Sequence, residues 1–330
     1  MKQRYLVIFA WIYETGTRRY TGYLGAFRGR SAPFLRQVSR KEFYETMKIG
    51  IIGGGKVGQS IATALASQVV GLVSASPETT AQLAQRFQTP TYNQIELVQQ
   101  SDVIFLTVPD RVISTVASEI ARLCQNRPNL RGKIFLHCSG SLGLEPLAPL
   151  AKLGASVGSL HPLQTFAHTQ TSLQGVYMAI DGDENALAVT RKIATQLQGQ
   201  AFHVPPEERA AYHAAACICS NYTVTLQALS QQLFSHWLPA EAAWQALLPL
   251  FQGTAHNVSH ATNPQTVLTG PIARGDIATI RQHLTVLPPE YVPSYCHLGL
   301  MTAQLALQNG TITSTQANEL TDLFTKTLTH

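Results

Sequence analysis

Three glycines, Gly53, Gly55 and Gly58, are spaced as G-x-G-x-x-G between an apolar run, Ile49-Gly50-Ile51-Ile52, and a helical pattern that begins at Val57. A strand that turns into a helix through such a loop leaves unpaired backbone amides at the helix start, where an anion is favoured. Gly53 permits the tight turn, Gly55 lets the backbone approach a diphosphate, and Gly58 lets helix and strand pack closely. Gly53, Gly54, Gly55, Lys56, Val57 and Gly58 are therefore expected to cradle a dinucleotide. A ligand-free glycine turn has the same spelling. The position between strand and helix, with further strand-helix units following, favours the dinucleotide.

Those units are legible as periodicity. Lys48–Ile52, Val69–Ser74, Asp102–Val108 and Lys133–His137 are short continuous apolar runs, as expected of parallel strands covered on both faces. Helical patterns at Val57–Ser67, Pro77–Phe87, Ile95–Gln100 and Arg111–Leu123 separate them. The alternation predicts an α/β fold, a doubly wound, mostly parallel sheet of Rossmann type. Further short strands are expected near Ser156–Leu160, Val176–Ile180 and Gln200–Val204. After Pro205-Pro206 the chain reads as helix, at Glu207–Phe234, Pro239–His260, Asp276–Leu284 and Pro289–Gln308. The expected organisation is thus a 1–46 extension, a 47–205 dinucleotide-binding domain and a 206–330 all-helical domain for substrate and dimerisation.

The net charge of +5 belongs to the extension, because residues 1–46 hold nine Lys or Arg and three acids while the remainder is close to neutral. A body that tracked phosphates would carry its own basic face, so no nucleic-acid partner is expected. No run approaches the roughly 20 apolar residues of a membrane span. The 1–46 segment, with an apolar patch from Tyr5 to Tyr13, reads as a poorly ordered extension upstream of a start at Met47, or as a targeting segment. The five cysteines (Cys124, Cys138, Cys217, Cys219, Cys296) lack paired metal spacing and read as buried free thiols of a cytoplasmic protein. His256 and His260 share a helix face without a third ligand, so no metal is assigned.

The second strand decides the nucleotide. A NAD site usually ends that strand with Asp or Glu on the ribose diol, but here it ends Leu72-Val73-Ser74-Ala75-Ser76-Pro77. Ser74 and Ser76 suit a 2′-phosphate and no carboxylate repels it, although no arginine stands beside them. NADP is the expected cofactor, with NAD the alternative. Thr107, Val108 and Pro109 end another strand at the carboxyl edge, where ligands of open sheets lie. They read as cofactor contacts or as a plain strand terminator.

Three further segments carry a resemblance: Leu136-His137-Cys138-Ser139-Gly140-Ser141-Leu142, Gly158-Ser159-Leu160-His161-Pro162-Leu163-Gln164-Thr165-Phe166, and Leu268-Thr269-Gly270-Pro271-Ile272-Ala273-Arg274-Gly275-Asp276. With the glycine loop they resemble Rossmann-like proteins with a C-terminal DUF2520 domain. That family is similar to the 6-phosphogluconate dehydrogenase, ketopantoate reductase and pyrroline-5-carboxylate reductase group. The resemblance spans Met47 to the end and implies a nucleotide domain, a helical domain and a homodimer built through the helices. The sugar-acid dehydrogenase relatives carry Lys-x-x-x-Asn on a helix of the second domain, the lysine transferring a proton. Here Cys217 stands at the lysine position and Asn221 at the asparagine. A neutral thiol in an apolar helix is a poor acid-base group.

Hydride transfer needs a proton donor and a polar clamp beside the reacting atom. His161, expected on a cleft loop, and His213, two turns before Asn221, are the candidate donors, since imidazole titrates near neutral pH. Each also fits a structural histidine. Ser139 and Gly140 are expected near the nicotinamide, and Ser139, His161, Gln164, Asn221 and Arg274 near the substrate. Asp276 reads as an N-cap. The expected function is an NADP-dependent oxidoreductase acting on a small, anionic carbonyl, imine or hydroxy metabolite. The alternative is a non-catalytic dinucleotide-binding sensor or assembly module, which Cys217 motivates.

Overall fold

The computed structural model describes residues 5–14, 17–26, 34–38, 47–125 and 130–329, with side chains from 47–125 and 130–329. The chain divides into two compact units, Met1–Val224 and Thr225–His330. The break expected at 205 coincides with the end of the sheet, since its last strand closes at His203. The first unit continues through a helical stretch to Val224.

Ahead of the main sheet, β1 (Tyr5–Glu14), β2 (Thr17–Ala26) and β3 (Phe34–Val38) form a separate antiparallel sheet in the order β1-β2-β3. The Tyr5–Tyr13 patch is rich in β-branched and aromatic residues, which favour a strand. The rest of 1–46 lies outside the described residues.

The main sheet comprises β4 (Ile49–Ile52), β5 (Val69–Val73), β6 (Val103–Leu106), β7 (Ile134–His137), β8 (Ser156–Pro162), β9 (Tyr177–Gly182) and β10 (Gln200–His203). Its order is β10-β9-β8-β7-β6-β4-β5. Neighbours from β5 through β8 are parallel, β9 runs antiparallel to β8, and β10 is parallel to β9. The order reverses between β4 and β6. That is the switch point at whose carboxyl edge open sheets bind ligands.

Strand alternation divides the core between two layers. Ile49, Ile51, Val103, Phe105 and Leu136 pack with α1 (Lys56–Ala64), α2 (Pro77–Phe87) and α6 (Glu184–Gln196). Ile52, Ile104, Leu106 and Phe135 pack with α3 (Gln94–Gln100), α4 (Asp110–Cys124) and α5 (Ala148–Ala151). Burial on both faces explains why these strands read as unbroken apolar runs. The sequence reading passed over α6, which Asp183 caps by accepting from the amides of Asn185 and Ala186.

The helix expected over Glu207–Phe234 forms in pieces. A 3-10 turn, Pro206–Glu208, leads into α7 (Arg209–Cys217), a π-helical turn (Ile218–Tyr222) and α8 (Thr223–Phe234). The second unit continues with α9 (Ala240–His260), α10 (Ile277–Val286), α11 (Val292–Gln308) and α12 (Ser314–Leu328). The last three share a core of Ile280, Cys296, Ala303, Leu320 and Phe324. The sequence reading did not separate out α12, despite its Thr313/Gln316 capping box. Asp276 caps α10 by accepting from the Thr279 amide, as expected.

Candidate functional site

The glycine loop spans the switch point. Gly53 sits at φ +121°, and a Cβ there would come within 2.6 Å of the Thr107 carbonyl carbon. Its amide donates to Val73 O at 2.8 Å, and Thr107 Oγ1 donates to Gly53 O at 2.7 Å. The ends of β5, β4 and β6 are thereby tied together. A Cβ at Gly58 would lie 2.1 Å from Gly53 O, so the helix rests directly on the turn. Gly55 differs from both. It is the N-cap of α1 without any side-chain cap, and a Cβ there would meet nothing within 4 Å. The space beside Gly55 at the start of α1 is consequently clear, as the approach of a diphosphate to the helix start requires.

Lys56 is exposed at the first position of α1, while Val57 packs partly into the core. Gln59 braces the loop by donating to Gly54 O at 2.7 Å and accepting from Arg86, a role the sequence reading missed. Ser76 caps α2, its hydroxyl accepting from the Thr79 amide at 3.1 Å. Ser74 is half-buried, and a Cβ at Gly54 would lie 3.4 Å from its hydroxyl. Pro109 is the N-cap of α4, again without a side-chain cap, and Val108 packs partly into the core.

A second cluster lies at the carboxyl ends of β7 and β8. Ser139 is a scaffold residue. Its hydroxyl donates to Asp110 at 2.6 Å and accepts from the amides of Ser141 and Leu142 at 3.2 and 3.1 Å. His137 beneath it is fully buried, with Nε2 2.9 Å from Gly143 O and Nδ1 accepting from the Ser139 amide at 3.2 Å. Burial pushes its pKa down to about 4, so the ring is neutral.

His161 belongs to β8 rather than to a loop. β8 outruns β7 because its last residues pair with β9, His161 opposite Ala179 and Pro162 opposite Met178. Its Nδ1 lies 2.6 Å from the hydroxyl of Tyr212, and its ring meets that of His213 edge-on, with centroids 6.0 Å apart. Burial first, then His213 and Arg209, push its pKa down to about 4, against the opposing effect of Asp110. Gly140 makes this approach possible, since a Cβ there would lie 2.5 Å from His213 Cδ2 and 2.9 Å from His161 Nε2. Cys217 Sγ sits 3.9 Å from His213 Nδ1.

What brings Tyr212 and His213 to the sheet is Arg209, at the first turn of α7. Arg209 is fully buried, donating to Ser159 Oγ from one terminal nitrogen and to Ser139 O at 3.3 Å from the other. Desolvation lowers its pKa, an effect that Asp181 opposes. Nothing in the sequence distinguishes this arginine from a surface one, because burial depends on the partners. The edge of Phe202 packs on Tyr212 with centroids 5.9 Å apart.

The structure therefore brings together Ser139, Gly140, His161 and His213, and adds Tyr212, Arg209 and Asp110. Asn221 is exposed on the π-helical turn, a distortion frequent at functional sites. Gln164 is exposed, its Oε1 accepting from the Thr165 amide at 2.8 Å. Arg274 is an exposed residue of the second unit. All five cysteines are free, but Cys219 is exposed and Cys138 and Cys217 are only partly covered, which corrects the expectation of uniformly buried thiols. Cys219 lies on the π-helical turn Ile218–Tyr222, which buries no residue.

Two family models match, a Rossmann-like domain over residues 39–162 and a domain of unknown function, DUF2520, over residues 176–302. The chain thus carries a Rossmann-like domain followed by a DUF2520 domain. The DUF2520 match begins ahead of β9, so it takes in the antiparallel edge of the sheet as well as the helices. Among solved structures, the chain is similar to BF3122 from Bacteroides fragilis, provisionally named an NADP oxidoreductase, at 22% identity and TM-score 0.59, covering 84% of this chain and 99% of that one. It is also similar to protein TM1727 from Thermotoga maritima at 25% identity and TM-score 0.54, covering 83% and 98%. A 1-pyrroline-5-carboxylate reductase from Streptococcus pyogenes matches at 16% identity and TM-score 0.52, covering 84% and 99%. No curated protein matches the chain.

Proposed function

We propose that this protein is an NADP(H)-dependent oxidoreductase acting on a small, anionic carbonyl, imine or hydroxy metabolite. The observation that carries the reading is the uncapped, unobstructed α1 start at Gly55, on the same carboxyl edge of the sheet as His161. The loop 53–58 would hold the diphosphate, Thr107 to Pro109 would flank the cofactor at the switch point, and Ser74 would meet the adenosine ribose. A bound reduced nicotinamide would supply the hydride.

NADP is favoured because β5 ends without a carboxylate, and BF3122 carries NADP in its name. Ser76 contributes through the α2 cap, its hydroxyl being committed to Thr79. His161 addresses the reacting oxygen or nitrogen. Being neutral, it acts as a hydrogen-bond donor rather than as an imidazolium. His213 and Gly140 hold its ring in place.

A homodimer through the helical unit fits the surface. α8 buries no residue and α9 buries only Ala243, while Leu250 is 69% and Val286 78% exposed. Among the described residues no helix is long and apolar enough to cross a membrane. Five free thiols suit a reducing compartment such as the cytoplasm.

Titration calorimetry with NADPH and NADH tests the reading, followed by loss of reduced-nicotinamide absorbance across a panel of 2-oxo acids, aldehydes and imines. NADPH binding with turnover of a panel member is expected. Binding without any turnover supports the sensor alternative, and absence of binding by either nucleotide removes both.

A further inference from the structure

We propose that Tyr212 and His161 form a two-member proton relay, in which Tyr212 fixes the tautomer of His161 and replaces the proton that His161 delivers to a carbonyl oxygen. This deepens the oxidoreductase reading and rests on it. Tyr212 is a positioning residue on this account, because it reaches the substrate only through His161.

The geometry begins with the 2.6 Å contact between the Tyr212 hydroxyl and His161 Nδ1. A phenol is the stronger donor of the pair and a neutral imidazole nitrogen the stronger acceptor, so O–H···N is the favoured sense. Nδ1 as acceptor requires the proton on Nε2. Among the described residues no other group hydrogen-bonds His161, so Nε2–H is left for a substrate. It sits beside the Cα of Gly140, where a side chain would close the approach.

Both members are held from behind. Phe202 packs edge-on against Tyr212, and Arg209 anchors the first turn of α7 to Ser139 and Ser159. The groups that face His161 are Tyr212, His213 and Arg209 from α7, Asp110 from α4 and His137 from β7. This is the chemistry that a thiol at Cys217 does not provide.

The step balances. A nicotinamide whose diphosphate the 53–58 loop holds would supply a hydride, with its two electrons, to the carbonyl carbon as the C=O π pair moves onto oxygen. That oxygen takes the Nε2 proton of His161 while Nδ1 takes the hydroxyl proton of Tyr212. The phenolate then regains a proton from water. Burial raises Tyr212 to about 12, still below an alcohol near that of water at roughly 16, so the transfer runs downhill. A protonated imine would need no such delivery, which makes a carbonyl the fitting acceptor.

Nitrogen-15 NMR of the full-length, histidine-labelled protein tests this, with His161 assigned by its loss in H161Q. The expected wild-type signal is a single neutral Nε2–H tautomer at neutral pH, turning into a mixture of tautomers in Y212F. A wild-type Nδ1–H tautomer, an imidazolium, or an unchanged tautomer in Y212F overturns the proposal. With 2-oxo acids and aldehydes as probes, Y212F should lower kcat roughly 100-fold with KM unchanged, and an undiminished kcat also overturns it. NADPH calorimetry on the same samples separates failure of the relay from failure of the oxidoreductase reading.

Discussion

Substituting Gly55 by alanine should abolish tight dinucleotide binding while leaving the fold intact. At φ −73°, ψ −174° the residue is in a conformation any amino acid adopts, and its Cβ would meet nothing within 4 Å. The cost to the fold is an N-cap change of up to about 1 kcal/mol, offset in part by lower entropy of the unfolded chain. The new methyl group would occupy the space in which a diphosphate meets the first amides of α1. Losing one charge-assisted hydrogen bond costs about 1.5–3 kcal/mol, so the Kd for NADPH should rise roughly 10- to 100-fold. G58A supplies the contrast, since its methyl would fall 2.1 Å from Gly53 O and 2.6 Å from Thr107 Oγ1. Overpacking there should cost about 1–3 kcal/mol and lower Tm by roughly 2–4 °C per kcal/mol. Calorimetry and thermal melting of the two variants read both effects. Wild-type NADPH affinity in G55A would show that the diphosphate does not lie against α1, and an unchanged Tm in G58A would contradict the close helix contact.

Acid should weaken the first unit through its neutral histidines. His137 and His161 are held near 4 in the fold, whereas an unfolded chain protonates them near 6.5, so between those values the unfolded state binds more protons. Their contribution is complete above about pH 6.5 and declines as pH falls toward 4. For His137 alone the loss is roughly 2 kcal/mol by pH 5, and an equal urea midpoint at pH 7 and pH 5 would refute it. G140A should push apart the His161 and His213 rings, costing about 1–3 kcal/mol. Because its methyl would lie 2.9 Å from His161 Nε2, it should also close the approach of a carbonyl substrate, read as loss of turnover in the reduced-nicotinamide absorbance assay. A G140A protein as stable as wild type would contradict the packing.

Much of the first unit was legible because its signals are local. Gly53 to Gly58 follow four apolar residues, and the apolar runs of β6 and β7 announce strands buried on both faces. The Tyr5–Tyr13 run holds β-forming residues, but the pairing of β1 with β2 and of β2 with β3 depends on partners that local composition does not name. His161 was found as a residue but misplaced on a loop, because strand length at an edge depends on which neighbour pairs there.

Tyr212, Arg209 and Asp110 were not found, and the reason is physical. A tyrosine at helical spacing is read as packing, and its role appears only when α7 brings its hydroxyl to a histidine 51 residues earlier. The arginine is unremarkable until it is buried between Ser139 and Ser159. Local sequence by itself determined what each backbone segment can do: where a strand turns into a helix, and where amides are left open for an anion. Only the tertiary structure decided which side chains share a dry pocket. Burial sets the protonation of His161 and Tyr212, and burial is a property of neighbours that the chain order does not list.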